Sequence, residues 1–204
     1  VVIISQSGET ADTLAALREA KRQGARTLAF VNVVGSSIAK TADDVIYTWA
    51  GPEIAVATTK AYSTQLSVLY LIALYMGQLL GTWMGENYDR MYEALTQLPE
   101  AMEQMLSCDY LKHIEDYAEA LCEKHDVFFI GRNTDSATCL EGSLKLKEIA
   151  YVHSEAYAAG ELKHGTISLV EDGTLVIGVL TQPALFEKTI SNMVEVKSRG
   201  AYLM

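Results

Sequence analysis

The residues best suited to chemistry in this sequence form the hydroxyl-rich run Ser5-Gln6-Ser7-Gly8-Glu9-Thr10. The run follows the apolar segment Val1–Ile4 and precedes a helical pattern, so it predicts a turn between a strand and a helix. Three hydroxyls, a glycine and the unpaired amide groups of a helix N-terminus together favour binding of an anion. Because the run lacks the lysine of a nucleotide-binding P-loop, a sugar monophosphate is favoured over ATP. An N-cap at Ser7 would explain the same residues without a ligand.

A second candidate site is a polar stripe on a helix predicted over Ser136–Val152. Glu141, Lys145 and Glu148 are spaced so that they share one face of that helix. A solvated row of ion pairs is the ordinary explanation of such a stripe. A carboxylate held beside a lysine could also move a proton on the carbon next to a carbonyl group. The spacing alone leaves both interpretations open.

The next segment, His153–Gly165, concentrates two histidines, two glutamates, a lysine and a tyrosine in a short span. It shows neither a strand pattern nor a long helical pattern, so it predicts a loop, and loops often carry functional groups. His164 is a candidate acid or base, although a single histidine is more often structural. The spacing of the two histidines does not suit a metal site, and no metal ligands are assigned.

A third cluster, Thr58-Thr59-Lys60, opens a long apolar helix predicted over Thr58–Leu80. Capping explains the two hydroxyls, and they gain weight as ligands only if this helix end faces the Ser5 loop. Because the helix is apolar on nearly all sides, it predicts a buried core helix. Its longest apolar stretch, Leu66–Leu80, is shorter than the about 20 residues that span a bilayer, so no membrane association is expected.

The elements that position these candidates alternate between strand and helix. Predicted strands are Val1–Ile4, Thr27–Val31, Val45–Thr48, Val127–Ile130, Leu175–Leu180 and a final strand after Gly200. Predicted helices are Thr10–Gln23, a short one ending at Ala42, Thr58–Leu80, Glu86–Lys124 with breaks at Pro99 and near Asp109, Ser136–Val152 and Leu185–Arg199. This alternation predicts an α/β fold with parallel sheets covered by helices.

An internal repeat supports the same fold class. When Gly24 is laid over Gly200, the strand, turn and helix of residues 1–25 match those of residues 177–201. The copies differ at the turn, because the hydroxyls and the glycine occur only in the first. Two copies of one α/β lobe, with a ligand site held by the first, are the simplest explanation.

Composition excludes several classes of protein. The sequence has 16 Lys and Arg against 26 Asp and Glu, for a net charge of −10, so no basic excess is present to bind nucleic acid. A local backbone site can still bind a phosphorylated small molecule on an acidic protein. The three cysteines (Cys108, Cys122 and Cys139) are too few and too scattered for a disulfide framework or zinc site, which favours a reducing compartment.

Four stretches together resemble the isomerase half of the glutamine–fructose-6-phosphate aminotransferase family, which consists of two sugar-isomerase (SIS) domains. They are residues 4–13, 50–62, 140–148 and 155–165. The first stretch is common to many SIS proteins, whereas the last two are specific to this family, and the resemblance covers nearly the whole chain. It implies two flavodoxin-like SIS lobes: a first lobe over 1–84, connecting helices over 85–117 and a second lobe over 118–204.

The resemblance also implies roles for individual residues. Fructose 6-phosphate is the implied substrate, glucosamine 6-phosphate the product, and no cofactor is implied. The implied phosphate and sugar ligands are Ser5, Gln6, Ser7, Thr10, Val56 and Thr58. Glu148 is implied to move a proton between C1 and C2 with help from Lys145, and His164 to help open the sugar ring.

The implied partners are a second copy of the chain and a glutaminase domain in the same polypeptide. His164 would reach the site of the neighbouring subunit, so the resemblance predicts a homodimer with a shared active site, in the cytoplasm. The glutaminase domain, the strand and helix that precede Val1 in the family, and the carboxyl-terminal lysine that forms a Schiff base are not in this sequence. The 204 residues alone are therefore expected to be inactive.

Two other functions remain open at this stage. One is a SIS sugar-phosphate deaminase or deglycase, which a cysteine directly after the initiator Met would argue against. The other is a non-catalytic sugar-phosphate sensor, which would need the Ser5 loop but not Glu148.

Overall fold

The computed structural model describes residues 1–107, 109–121 and 126–204. The chain divides into two compact units, Val1–Met105 and Leu106–Met204. Each is an α/β unit with a parallel sheet, so the expected fold class is confirmed. Within the described residues, no helix has the length and apolar character needed to cross a membrane.

The first unit contains a three-stranded parallel sheet in the order β1-β2-β3. Its strands are β1 (Val2–Ser5), β2 (Leu28–Val31) and β3 (Asp44–Tyr47), and its helices are α1 (Ala11–Arg22), α2 (Ser37–Thr41) and α3 (Lys60–Leu79), followed by the start of α4 (Glu86–Ser107). Ser5 pairs with Val31, and Val31 with Tyr47, so all three strands end at one edge of the sheet.

The core of the first unit lies between this sheet and the short helices beside it. Ile3, Leu17, Ala29, Val31 and Ile38 form one buried cluster. The predicted apolar face of α1 explains this packing, because Leu17 is completely buried while the charged residues of the helix are exposed. Burial of each large side chain stabilises the fold by about 1.5–3 kcal/mol, which fixes the position of the β1–α1 turn.

The long helix α3 differs from its prediction. The apolar pattern predicted a core helix, yet only Ala61, Leu74 and Gly77 are buried, while Tyr75 and Leu79 are largely exposed. No described element packs extensively along α3. The prediction of a buried helix is therefore wrong within this chain: an apolar pattern shows that a helix suits a dry environment but not that its own chain provides one.

Helix α4 also differs from its prediction. Pro99 lies inside the continuous helix Glu86–Ser107, so the expected break there is wrong. The chain continues in α5 (Asp109–Leu121). The rest of the helix predicted over 86–124, including Cys108 and residues 122–124, lies outside the described residues.

The second unit contains a four-stranded parallel sheet in the order β5-β4-β6-β7. Its strands are β4 (Asp126–Gly131), β5 (His153–Ala158), β6 (Leu175–Val179) and β7 (Tyr202–Leu203); its remaining helices are α6 (Thr134–Ala150) and α7 (Phe186–Lys197), with 3₁₀ turns at Leu162–His164, Thr166–Leu169 and Pro183–Leu185. Phe128, Ile130, Val176, Met193 and Val196 form the centre of its core.

Strand β5 was not predicted from the sequence. Its segment was expected to be a loop, but residues His153–Ala158 pair in parallel with β4 along their whole length. Alanine, serine and glutamate have low β-propensity, and tertiary pairing overrides that preference here. Ser154 shows the result, because its side chain is buried against α6 and hydrogen-bonds to Ser143 at 3.0 Å.

The predicted internal repeat is confirmed by the elements. β1, α1 and β2 form one βαβ arrangement, and β6, α7 and β7 form another, with the two strands of each adjacent and parallel. The two copies differ at the turn, where the second has the 3₁₀ turn Pro183–Leu185.

Candidate active site

The hydroxyl-rich run lies at the carboxyl end of β1 in the first unit. β1 ends at Ser5 and α1 begins at Ala11, with Thr10 in the N-cap position. The carboxyl edge of a parallel sheet is where α/β proteins commonly bind ligands. The interpretation of Ser7 as the cap of α1 is wrong, because the helix begins further along the chain and Thr10 makes no side-chain cap hydrogen bond.

Short internal hydrogen bonds shape this loop. Ser5 Oγ accepts a hydrogen bond from the Gly8 amide at 3.1 Å and lies 3.2 Å from Thr10 Oγ1. Ser7 Oγ accepts one from the Glu9 amide at 3.2 Å. The structure therefore brings the three predicted hydroxyls into one turn, ahead of a helix whose dipole favours an anion.

Gly8 has a backbone that few other residues adopt, with φ +68°. A Cβ atom at this position would lie 2.1 Å from Ser36 Oγ. The space beside the glycine is thus filled by the β2–α2 turn. Ser36 is itself only 3% exposed, and its hydroxyl has no hydrogen-bond partner among the described residues.

Three hydrogen bonds join the loop to the β2–α2 segment. The backbone amide of Asn32 donates to Gln6 O at 3.0 Å, and the backbone amide of Ile38 donates to Gly8 O at 3.0 Å. The Ser37 amide donates to Glu9 Oε1 at 2.8 Å. Hydrogen bonds from the Ser37 side chain and backbone lower the pKa of the Glu9 carboxyl. No role for Glu9 or Ser36 follows from the sequence, because their contacts join two loops that are distant along the chain.

The expected sugar ligands Val56 and Thr58 lie on the segment before α3. Val56 is fully exposed and Thr58 is half-buried. The described contacts do not join either residue to the Ser5–Thr10 loop. The start of α3 is instead held by Glu53, which accepts a hydrogen bond from the Ala61 amide at 3.0 Å.

In the second unit, α6 carries the predicted polar stripe. Lys145 Nζ lies 3.6 Å from Glu141 Oε1 and hydrogen-bonds to Glu148 Oε2. The lysine side chain is 19% exposed, so this is a half-buried cluster. Burial disfavours the charged ammonium, but the hydrogen bond to Glu148 and the charges of both carboxylates outweigh it and raise the pKa of Lys145.

The opposite face of α6 explains why the cluster is rigidly placed. Cys139 and Ser143 are buried, and Gly142 lets the helix approach the ring of Phe129 on β4. Burial also raises the pKa of the Cys139 thiol to about 11, so this cysteine is a poor nucleophile at neutral pH. The helix can therefore hold a carboxylate and a lysine at fixed positions, as proton transfer requires.

His164 is exposed at the end of a 3₁₀ turn and lines an open cavity of about 500 Å³. The cavity is also lined by Tyr157 and Glu161. Tyr157 donates a hydrogen bond to Glu155, which raises the pKa of the tyrosine to about 12. The contact between Glu155 and Tyr157 was not predicted. Two residues that are two positions apart lie on the same face of a strand, so a prediction of β5 would have placed them together.

Among the described residues, no group of three or more His, Cys, Asp or Glu could hold a metal ion. The candidate groups are therefore a hydroxyl-lined anion loop in one unit and, in the other, a carboxylate–lysine cluster and an exposed histidine.

These features define a class: an α/β protein of two parallel-sheet units, with a hydroxyl-rich loop after β1 and a carboxylate–lysine cluster on α6. The chain belongs to the SIS domain family, because the model of the SIS domain matches residues 1–75 and 120–203.

Within the SIS family, this chain is similar to curated relatives that share one name. The glutamine–fructose-6-phosphate aminotransferase (isomerizing) of Clostridium tetani is 58% identical over 201 residues, covering 98% of this chain and 33% of that protein. The enzyme of the same name from Thermococcus kodakarensis is 48% identical, covering 100% of this chain and 34% of that protein. This chain spans about a third of the length of the curated relatives it matches.

Solved structures are also similar to this chain. The C-terminal domain of glucosamine-fructose-6-phosphate aminotransferase from Francisella tularensis matches with a TM-score of 0.93 and 39% identity, over 99% of this chain and 57% of that one. A glucosamine-6-phosphate deaminase from Thermotoga maritima matches with a TM-score of 0.72 over 100% of this chain and 59% of that one; at 24% identity it is similar in fold alone.

Proposed function

We propose that this chain is the isomerase part of an enzyme that makes glucosamine 6-phosphate from fructose 6-phosphate and glutamine-derived ammonia, a step of hexosamine biosynthesis. The observation that carries the proposal is the Lys145–Glu148 pair on α6. It occurs in a chain that is similar, over nearly its own whole length, to about a third of the length of the glutamine–fructose-6-phosphate aminotransferases compared above. The three-part division at 1–84, 85–117 and 118–204 belongs to the same proposal.

The Ser5–Thr10 loop binds the phosphate group of the sugar in this proposal. Ser5, Gln6, Ser7 and Thr10 supply side chains, and the start of α1 supplies backbone amides and a favourable dipole. Val56 and Thr58 contact the sugar. Anchoring the phosphate orients the reacting end of the substrate, which lowers the entropic part of the barrier.

Glu148 is the base that moves the proton. Its carboxylate takes a proton from C1 of the protonated fructose 6-phosphate imine, which leaves a neutral enolamine. The resulting acid returns the proton to C2, while the C1 hydroxyl loses its proton to water. The products of that transfer are an aldehyde at C1 and an amine at C2. The protonated Lys145 holds the carboxylate in place through its hydrogen bond, and a positioned base of this kind contributes about 10²–10⁴-fold to the rate.

His164 helps to open the sugar ring before isomerisation. Its exposed position on a 3₁₀ turn supports a role at the site of a second copy, and the proposal includes a homodimer with shared active sites. A glutaminase domain in the same polypeptide supplies ammonia, and the enzyme works in the cytoplasm without a cofactor.

The test is the Glu148→Gln variant of the protein in its full natural length. Glutamine keeps the shape of the side chain but cannot accept the proton, so turnover should fall at least about 100-fold while fructose 6-phosphate still binds. Glu187→Gln, which removes an exposed carboxylate from α7, is the matched control and should keep full activity. Unchanged turnover in Glu148→Gln would remove Glu148 from its role. Fructose 6-phosphate binding without any turnover in the unsubstituted protein would favour a sensor.

A further inference from the structure

Glu9 poses an electrostatic question at the Ser5–Thr10 loop. A carboxylate beside a loop that binds a phosphate dianion should oppose binding by Coulomb repulsion. The Glu9 side chain is exposed, yet it is not free: Oε1 accepts the Ser37 amide hydrogen at 2.8 Å, at the first residue of α2. The carboxylate therefore bridges the two loops at the carboxyl edge of the sheet.

An independent observation shows how closely the two loops are fitted. Ser36 Oγ occupies the space that a side chain on Gly8 would need, and this hydroxyl is buried without a partner among the described residues. Ser36 Oγ therefore lies directly against the Gly8 backbone and packs the β2–α2 turn onto the Ser5–Thr10 loop. This contact and the hydrogen bond from the Ile38 amide to Gly8 O together fix the position of the loop against α2.

We propose that Glu9 is a positioning residue of the phosphate loop, acting through Ser37 to hold Ser5–Thr10 in the shape that receives the anion; this role rests on the proposed function. Glu9 makes no contact with the phosphate. Its carboxylate holds the loop backbone, so that the amides ahead of α1 and the hydroxyls of Ser5 and Ser7 converge.

The sign of a substitution effect separates this role from a simple charge effect. If Glu9 acted only through its charge, its removal would strengthen phosphate binding. If Glu9 positions the loop, its removal weakens binding even though a repelling charge is lost. Glu9→Gln separates the two further, because it retains the acceptor oxygen for the Ser37 amide and loses the charge.

The experiment measures inorganic phosphate and fructose 6-phosphate binding by isothermal titration calorimetry, on the protein in its full natural length. Glu9→Ala should weaken phosphate affinity about fivefold or more, as expected for loss of a charge-assisted hydrogen bond that orders the loop. Glu9→Gln should bind within about twofold of the unsubstituted protein or more tightly. Asp12→Asn removes an exposed carboxylate from the first turn of α1, which follows Glu9, and should not weaken binding.

A second variant reaches the same bond from the donor side. Ser37 is the first residue of α2, where proline is well tolerated, and Ser36 before it has the extended backbone that a following proline requires, with φ −60° and ψ 164°. Ser37→Pro thus deletes both donors of Ser37 to Glu9, the backbone amide and the hydroxyl, while Glu9 keeps its charge. It should weaken phosphate binding as Glu9→Ala does. The double variant Glu9→Ala, Ser37→Pro should bind phosphate with an affinity no lower than that of the single variant that binds it less tightly.

The outcomes are distinct. Phosphate affinity in Glu9→Ala equal to or above that of the unsubstituted protein overturns the positioning role and leaves the proposed function intact. Additive losses in the double variant also overturn it, because they would show that Glu9 and Ser37 act separately. If the unsubstituted protein binds neither inorganic phosphate nor fructose 6-phosphate, the proposed function fails and the positioning role fails with it. Should Glu9→Ala fail to fold by circular dichroism, Ser37→Pro decides alone.

Discussion

Gly8 and Ser36 share one small space between two loops of the first unit. A Cβ atom on residue 8 would begin 2.1 Å from Ser36 Oγ, and no L side chain fits there without movement of the β2–α2 turn. The Ser5–Thr10 loop and α2 are therefore packed tightly against each other.

Gly8→Ala should lower the free energy of unfolding by more than about 2 kcal/mol, because it combines a left-handed backbone with a steric clash. Gly24→Ala is the matched control: Gly24 also has a positive φ, +79°, but a Cβ there meets nothing within 4 Å. It should cost only about 1 kcal/mol, from the backbone alone. Urea unfolding measures both, and equal losses would show that the Ser36 contact carries no energy.

Ser36→Ala should not destabilise the protein, because its hydroxyl has no described partner and its removal relieves a buried polar group. Ser143→Ala is the comparison, since Ser143 is equally buried but hydrogen-bonds to Ser154. That variant should lose about 1 kcal/mol. A loss in Ser36→Ala as large as in Ser143→Ala would reveal a hydrogen bond to the Ser36 hydroxyl.

Lys145→Met should lower kcat at least about tenfold and change KM for fructose 6-phosphate little, if Lys145 holds the base and does not bind the phosphate. Methionine retains most of the apolar stem and removes the ammonium between the two carboxylates. Lys147→Met, on an exposed position of the same helix, is the control for general effects. A higher KM at unchanged kcat would place Lys145 in substrate binding instead.

Asp43→Asn should destabilise the first unit at neutral pH and less so in acid. Asp43 accepts hydrogen bonds from Lys21 at 2.7 Å and from the side chain and backbone of Thr27, which hold the pKa of its carboxyl well below the usual 3.8. A lowered pKa contributes stability that is present above the unfolded value and is lost as pH falls below it. Thermal unfolding of the two proteins should thus converge below about pH 3.8, and a constant difference down to pH 2 would contradict this.

The sequence predicted most of the elements because their apolar patterns are strong and local. Leu17 on α1 illustrates this, since it is buried on the face that its periodicity indicates. The β-branched run Val1–Ile4 predicted strand β1 correctly but not its burial, because Val2 and Ile4 are exposed and only Ile3 is buried. The loop between them was also predictable, because hydroxyls and a glycine between a strand and a helix restrict what the backbone can do.

The failures have physical causes beyond local pattern. β5 consists of residues with weak strand preference and forms because β4 offers unpaired backbone groups. α3 has the composition of a core helix, but composition does not specify which surface covers it. Glu9 and Ser36 act through contacts between loops distant in sequence, which spacing along one chain segment does not reveal.

The duplicated βαβ arrangement has a consequence for how the fold can change. In the second copy, Pro183 has no amide hydrogen and the amides of Leu185 and Phe186 donate to nearby carbonyls, so fewer donors are left for a solute. In the first copy, the amides of Gly8 and Glu9 donate instead to the hydroxyls of Ser5 and Ser7. Two equivalent frameworks in one chain thus carry strand–helix junctions of different chemistry, so a change confined to that junction can alter one half without altering its fold.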